Sequence, residues 1–363
     1  MNVTVNAQGL AAALKNNLAQ KRSTLNIYEH VLLIATQSPA ELRVISRDGS
    51  QEREVVIAAE RVEQGGSVTC HAEKLQAAVT GLAGPATLST EGSPGTEKFK
   101  TVLQQGRRRF QILSLSADIF PKGQAMGRAM TPVLDPQALA KAIATVQYAA
   151  AVNDVRFMLL GVHLNEGDVV AADGHRLACA SVDADFKPIT IPRDSLKNLI
   201  AALMEEGAEL QYSDSAIEVT HAAGRYRSQL LDCQYVDYKR VMHIPETGVK
   251  ATLDATHISP ALSRLRSFVP VGTNMLGCMI EDNLLTLSAG DDSKNKGEPA
   301  AKDEAPATCQ EKWPKVYMNL AYVNDAMHSI KGEFTWLNSG AHNAQVLWTG
   351  NQEIVHVLMP IRM

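Results

Sequence analysis

Aromatic residues are scarce in this chain: Phe, Trp and Tyr together supply 5% of it. Its core must therefore be assembled mainly from Leu, Val, Ile and Ala, within an apolar content of 45% that is ordinary for a globular protein. Cysteine is sparse as well. Cys70, Cys179, Cys233, Cys278 and Cys309 are odd in number, scattered, and never spaced as CxxC, which argues against a disulfide framework or a zinc ribbon. Buried, reduced thiols in a cytoplasmic protein are expected. No apolar run approaches the length of a membrane span, and Met1 to Gln8 lacks a basic segment leading into an apolar one. The expectation is a soluble protein with no membrane contact and no export. Positive charge is not in excess either: the formal net charge is −4, against a protein that holds a polyanion by bulk attraction. The motifs GxxxxGK[ST], HExxH and GxSxG are missing, and no Cys–His spacing suits a metal. Neither catalysis nor a cofactor is expected.

What is present is an internal repeat. Three short extended stretches each lead into an amphipathic helix: Val3-Thr4-Val5 into Leu10, Leu14 and Leu18; Val133-Leu134 into Leu139, Ile143 and Val146; Thr252-Leu253 into Ile258, Leu262 and Leu265. This spacing puts the apolar side chains on one helical face. Asp135 and Asp254 stand where a carboxylate caps a helix N-terminus. A second helix follows in each segment, marked by Leu75, Val79 and Leu82, by Leu196, Leu199 and Leu203, and by Val323, Met327 and Ile330. Gly84, Gly207 and Gly332 supply the turns that end them. Runs such as Glu54–Ile57, Val219–His221 and Leu284–Leu287 read as strands. The repeat length of roughly 120 residues is that of a domain, not of a solenoid turn. The expected fold class is α+β, with domains at 1–126, 127–247 and 248–363, each placing two helices on antiparallel sheets.

The helices and their flanks carry most of the local positive charge. Lys15, Lys21, Arg22, Lys74, Lys141, Arg193, Lys197, Arg264, Arg266 and Lys331 face only Glu73, Asp194, Glu205, Glu206 and Asp325 over the same spans. An acidic chain with one basic repeated element presents that element to a polyanion. Few, salt-sensitive contacts of this kind suit a protein that stays on DNA and still moves along it.

Asp154-Val155-Arg156-Phe157, Ala172-Asp173-Gly174-His175-Arg176-Leu177 and the ending Met359-Pro360-Ile361-Arg362 resemble the beta subunit of bacterial DNA polymerase III, the sliding clamp. Ile191-Pro192-Arg193, Leu230-Leu231-Asp232 with Asp237-Tyr238, and Asn319 with Tyr322 extend the likeness along the chain, which is weakest in the first domain. The resemblance implies a head-to-tail homodimer. Three domains per subunit would form a six-domain ring around double-stranded DNA, as a processivity factor. DNA polymerase and clamp-loader subunits would dock through short linear motifs.

By the same resemblance, the partner-peptide pocket takes Leu159, Gly174, His175, Arg176 and Leu177 from one segment and Val236, Arg240 and Val241 from another. Met275, Asn319 and Tyr322 complete one side, and Val357, Met359, Pro360 and Arg362 the tail. An apolar cleft of this composition anchors Leu or Phe of an extended peptide, with Arg and backbone groups fixing its ends. Val236 stands where the family usually has Pro, Met275 where an aromatic is common and Ala172 where Thr is common, so the pocket's shape should differ. DNA contacts would come from Lys21, Arg22, Asn153, Phe157, Arg193 and Lys197. A dimer seam would use Arg107, Arg109, Phe110 and Ile112 against Phe268 and Val269, with acids such as Asp303 or Glu304 pairing to the arginines across it. Residues 291–311 read as a loop or a frayed edge strand.

Two other readings stay open. One is a clamp-like protein that binds partners without encircling DNA. The other is a hydrolase on the repeated α+β scaffold, with Asp173 and His175 as a dyad. Asp-Gly-His is more simply a turn, in which Gly174 takes positive φ and Asp173 bonds its own backbone.

Overall fold

The computed structural model describes every residue except 20–25, 97, 124–125, 270–273, 291–299, 351–352 and 363. Its helices are α1 (Ala7–Lys15), α2 (Ala72–Val79), α3 (Pro136–Val146), α4 (Arg193–Leu203), α5 (Tyr238–Met242), α6 (Ala255–Leu265) and α7 (Leu320–Ser329). All six helices expected from apolar spacing are there, and the short α5 is additional. Asp135 and Asp254 cap α3 and α6, accepting from the amides of Gln137 at 2.9 Å and Thr256 at 2.7 Å. Asn6 and Asn319 do the same for α1 and α7. Leu10, Leu14, Leu75, Val79, Leu139, Ile143, Leu262 and Val323 are all buried, as one-face spacing requires.

Element order repeats. Residues 2–115 run strand, helix, four strands, helix, three strands, and residues 249–358 run in the same order. Between them, 136–229 run helix, two long strands (Gly161–Ala172 and Arg176–Pro192), helix, three strands. Val133-Leu134, expected to be extended by analogy with Val3–Val5, forms no strand. Pro132 has no amide to donate, and Val133 is left 94% exposed.

The chain forms two compact units, which follow the sheets and not the repeat. The first comprises Met1–Thr131 with Lys197–Leu230. Its eleven strands connect antiparallel, and the seam within it is Gln51–Gln64 pairing with Gly224–Gln229. The second comprises Pro132–Leu196 with Leu231–Met363. Its ten strands run from Val316–Asn319 at one edge to Gly161–Ala172 at the other, and Ile354–Leu358 pairs with Arg176–Pro192. The division falls inside residues 127–247 because strands from that stretch hydrogen-bond into both sheets.

Residues 301–309 form a strand, the second of the two forms expected for this stretch. Ala301–Pro306 pair with Leu284–Ala289 and Ala307–Cys309 pair with Ala251–Leu253, so the strand changes partner along its length and no residue in these pairings is flanked on both edges. Ala305 and Ala307 alternate inward into the core, Lys302 and Glu304 face out, and Asp303, on the inward phase, is partly buried and paired with Arg264, so a polar composition conceals a period-two pattern. The rest of that stretch, 291–299, lies outside the described residues.

Candidate partner-binding site

The second unit brings the pocket residues together around the turn 173–176. Gly174 takes φ of 86°, and the Asp173 carboxylate accepts from the amides of His175 (2.9 Å) and Arg176 (3.0 Å). That is the turn chemistry expected from the sequence. The same carboxylate accepts from Arg176 Nε at 2.9 Å. Asp173 is thus occupied by its own turn and by Arg176, an arrangement for holding backbone and not for activating an imidazole.

Arg176 ties three elements together. Its Nη1 donates to Asp325 of α7 at 2.6 Å, and its Nη2 to the carbonyl of Tyr148 at 3.0 Å, just beyond α3. The guanidinium also lies over the rings of Tyr322 (4.5 Å) and Tyr148 (5.0 Å). A planar fork is needed for such simultaneous pairing and stacking. Beside it, the His175 ring stacks on Tyr322 with centroids 6.3 Å apart.

The C-terminal tail closes the other side. Leu177 is in register with Val357, and the Met359 amide donates to the His175 carbonyl at 2.9 Å. Two residues on, the Ile361 amide donates to the Tyr317 carbonyl at 2.7 Å. Met359 and Pro360 thereby span from the turn to the strand Val316–Asn319, whose Asn319 is in register with Met275. Leu159, Leu177 and Val357 are buried in one apolar cluster with Tyr235 and Tyr238. Val236, Val241 and Met359 stand exposed above it, and Arg240 and Arg362 are exposed charges. An apolar floor, an exposed apolar rim and terminal arginines can seat an extended peptide.

The other expected sites are less uniform. Phe157 is 49% exposed and therefore not a core residue, and Asn153 and Lys197 are exposed too. Arg193, expected to face DNA, instead donates to the carbonyls of Ala150 and, at 3.2 Å, Gln147, satisfying the end of α3. Lys21 and Arg22 lie outside the described residues. At the expected seam, Phe110 and Phe268 are exposed, but Ile112 is buried in its own unit's core, in one cluster with Phe99 and Leu103. Strand alternation turns Ile112 inward and leaves Leu113 and Leu115 outward, two exposed apolar residues that sequence reading passed over. Arg109 pairs with Glu91 at 2.5 Å and Asp303 with Arg264 at 2.6 Å within one chain, so the cross-subunit ion pair proposed for them has local competitors.

Residues 133–237 match the family model described as DNA polymerase III beta subunit, central domain. The beta sliding clamp of Pseudomonas aeruginosa is 25% identical over 379 aligned residues, covering 100% of both chains. The chain is a divergent relative of the beta sliding clamps. That of Caulobacter vibrioides is 26% identical, again over 100% of both chains. Among solved structures, the Pseudomonas aeruginosa sliding clamp bound to griselimycin superposes with a TM-score of 0.87 at 23% identity over all of both chains. The Caulobacter crescentus beta sliding clamp gives 0.90 at 24% identity over 100% of this chain and 99% of the other. The fold is therefore that of the clamps throughout, including the first domain, where sequence likeness is weakest.

One element of this clamp relative escaped sequence reading: α5, which carries Arg240 and Val241. At five residues it has no room for a periodic pattern. Its signal was Asp237, whose carboxylate accepts from the Arg240 amide at 3.3 Å as an N-cap.

Proposed function

We propose that this chain is a DNA sliding clamp, a processivity factor without catalytic activity of its own that works in the cytoplasm. Domains at 1–126, 127–247 and 248–363 would give a six-domain ring when two subunits join head to tail. The observation that carries the reading is end-to-end alignment with proteins named beta sliding clamp, covering the whole of both chains. The ring would hold double-stranded DNA by topology, consistent with a net charge of −4 and basic residues concentrated near the helices. DNA polymerase and clamp-loader subunits would bind through extended peptides seated over Leu159, Leu177 and Val357 and fixed by Arg240 and Arg362.

Loading onto nicked circular plasmid tests the reading. The clamp, loaded with a compatible loader, should stay with the circle through gel filtration and leave when the plasmid is linearised. Equal loss from both forms would favour a second reading, partner binding without encirclement. That reading draws on the local pairing of Arg109 with Glu91 and Asp303 with Arg264, which leaves fewer free charges for a seam.

A further inference from the structure

The segment 232–242 forms one wall of the candidate site, yet α5 has only five residues, too few to hold a helix by its own hydrogen bonds. Its position must come from tertiary contacts, and two tyrosines make them. Tyr238, the first residue of α5, is buried, and its hydroxyl donates to Asp168 Oδ2 at 2.9 Å while accepting from Asn165 Nδ2 at 3.1 Å. Three residues earlier, the Tyr235 ring stacks on His163 with centroids 4.5 Å apart and planes 2° from parallel. The Tyr238 ring meets the same imidazole edge-on at 5.9 Å. His163, Asn165 and Asp168 all belong to the strand Gly161–Ala172, and His163 Nδ1 is itself fixed by Thr190 Oγ1 at 3.0 Å. Burial pulls the His163 pKa down to about 4, so the ring that both tyrosines contact is neutral near pH 7.

We infer that Tyr238 and Tyr235, pinned to Asp168 and His163, are positioning residues that hold the α5 wall in its peptide-competent place. The inference rests on the peptide-binding reading above. None of the four is among the residues assigned to the peptide: those on the wall are Val236, Arg240 and Val241, all exposed, whereas Tyr235, Tyr238 and His163 are buried. The pins act by keeping the bound geometry populated before the peptide arrives, and affinity falls in proportion to that population. The surface pair Lys239–Glu166 (2.9 Å), exposed on both sides, contributes little by comparison.

Two measurements on the full chain test this: anisotropy of a fluorescein-labelled extended peptide with Leu and Phe anchors, and amide hydrogen exchange across 232–242 without peptide. Tyr238→Phe removes one hydroxyl and should weaken peptide binding about five-fold and speed exchange in 238–242, leaving exchange in the strands 161–172 and 176–192 unchanged. Asp168→Leu should do the same, and the double variant should be no worse than either single one. Asp168→Asn keeps an oxygen acceptor and should restore near-wild-type values, a rescue that general destabilisation would not give. Lys239→Ala should change neither readout. Wild-type exchange in Tyr238→Phe overturns the inference whether or not peptide binds. Faster exchange with unaltered peptide affinity also overturns it. If the wild-type protein binds no peptide while exchange responds as described, the peptide-site reading fails, and with it the functional role assigned to the pins.

Discussion

Arg176 Nη1 and Asp325 Oδ2 lie 2.6 Å apart although their residues are 149 positions apart in the chain. This bond fastens the turn 173–176 to α7, and the stacking of the same guanidinium on Tyr322 makes the joint rigid. Arg176→Ala would leave Asp173 and Asp325 without their shared cation in a partly buried setting, at a cost of about 3 kcal/mol. Urea unfolding should show that loss, and peptide affinity should drop at least ten-fold. Arg176→Lys should recover little, because an ammonium cannot pair with both carboxylates and stack as a plane.

Gly174 is required twice over. Its φ of 86° is strained for any residue with a side chain, and a Cβ there would sit 2.6 Å from Arg156 Nη2. Gly174→Ala should destabilise by about 1 kcal/mol through the backbone alone. Because Arg156 is exposed and can move aside, adding Arg156→Ala should relieve only part of the cost. Thermal melts of the two single variants and the double variant distinguish strain from collision.

The His356 side chain is fully buried between Tyr148 and Ser329. Ser329 donates its hydroxyl to the Ala326 carbonyl at 2.8 Å, so it accepts from His356 Nε2–H, and Nδ1 accepts from the Tyr148 hydroxyl at 2.8 Å. Burial lowers the pKa to about 4, from an ordinary value of 6.5. Between those two values the unfolded chain binds a proton that the folded chain does not, so stability falls as pH falls. The slope for this group approaches about 1.4 kcal/mol per pH unit across that window. His163 and His30, also lowered to about 4 mainly by burial, act in the same direction. Urea titrations at pH 7.0, 5.5 and 4.5 should show the decline, and it should be shallower in His356→Gln.

Phe110 is exposed at 38% and Phe268 at 40%, so neither supports its own unit's core. Phe110→Asp should leave the melting temperature within about 1 °C of wild type, as surface substitutions do. Light scattering across a concentration series should find the wild-type chain near twice its 39.3 kDa and the variant near 39.3 kDa. A variant that kept the dimer mass would place the seam elsewhere.

The sequence by itself determined which segments become helices. Apolar residues at three- and four-residue spacing, with Asp135 and Asp254 ahead of them, bury one face and cap one end in any compact context, so Leu10, Ile143 and Leu262 are core residues wherever the helices dock. The turn at Asp173-Gly174 was legible for the same reason: it depends on bonds between neighbours. Tertiary structure alone decided the rest. Ala301–Cys309 is a strand that passes from pairing with Leu284–Ala289 to pairing with Ala251–Leu253 at Ala307, something its own charged composition could not reveal. Arg193 points to the carbonyls of Gln147 and Ala150, and Ile112 turns into the core, because partners distant in sequence set those orientations. The candidate site divides along the same line. Its residues were readable from a resemblance, but the wall at α5 is placed by Asp168 and His163, about seventy residues away, through contacts that leave no periodic trace in the sequence.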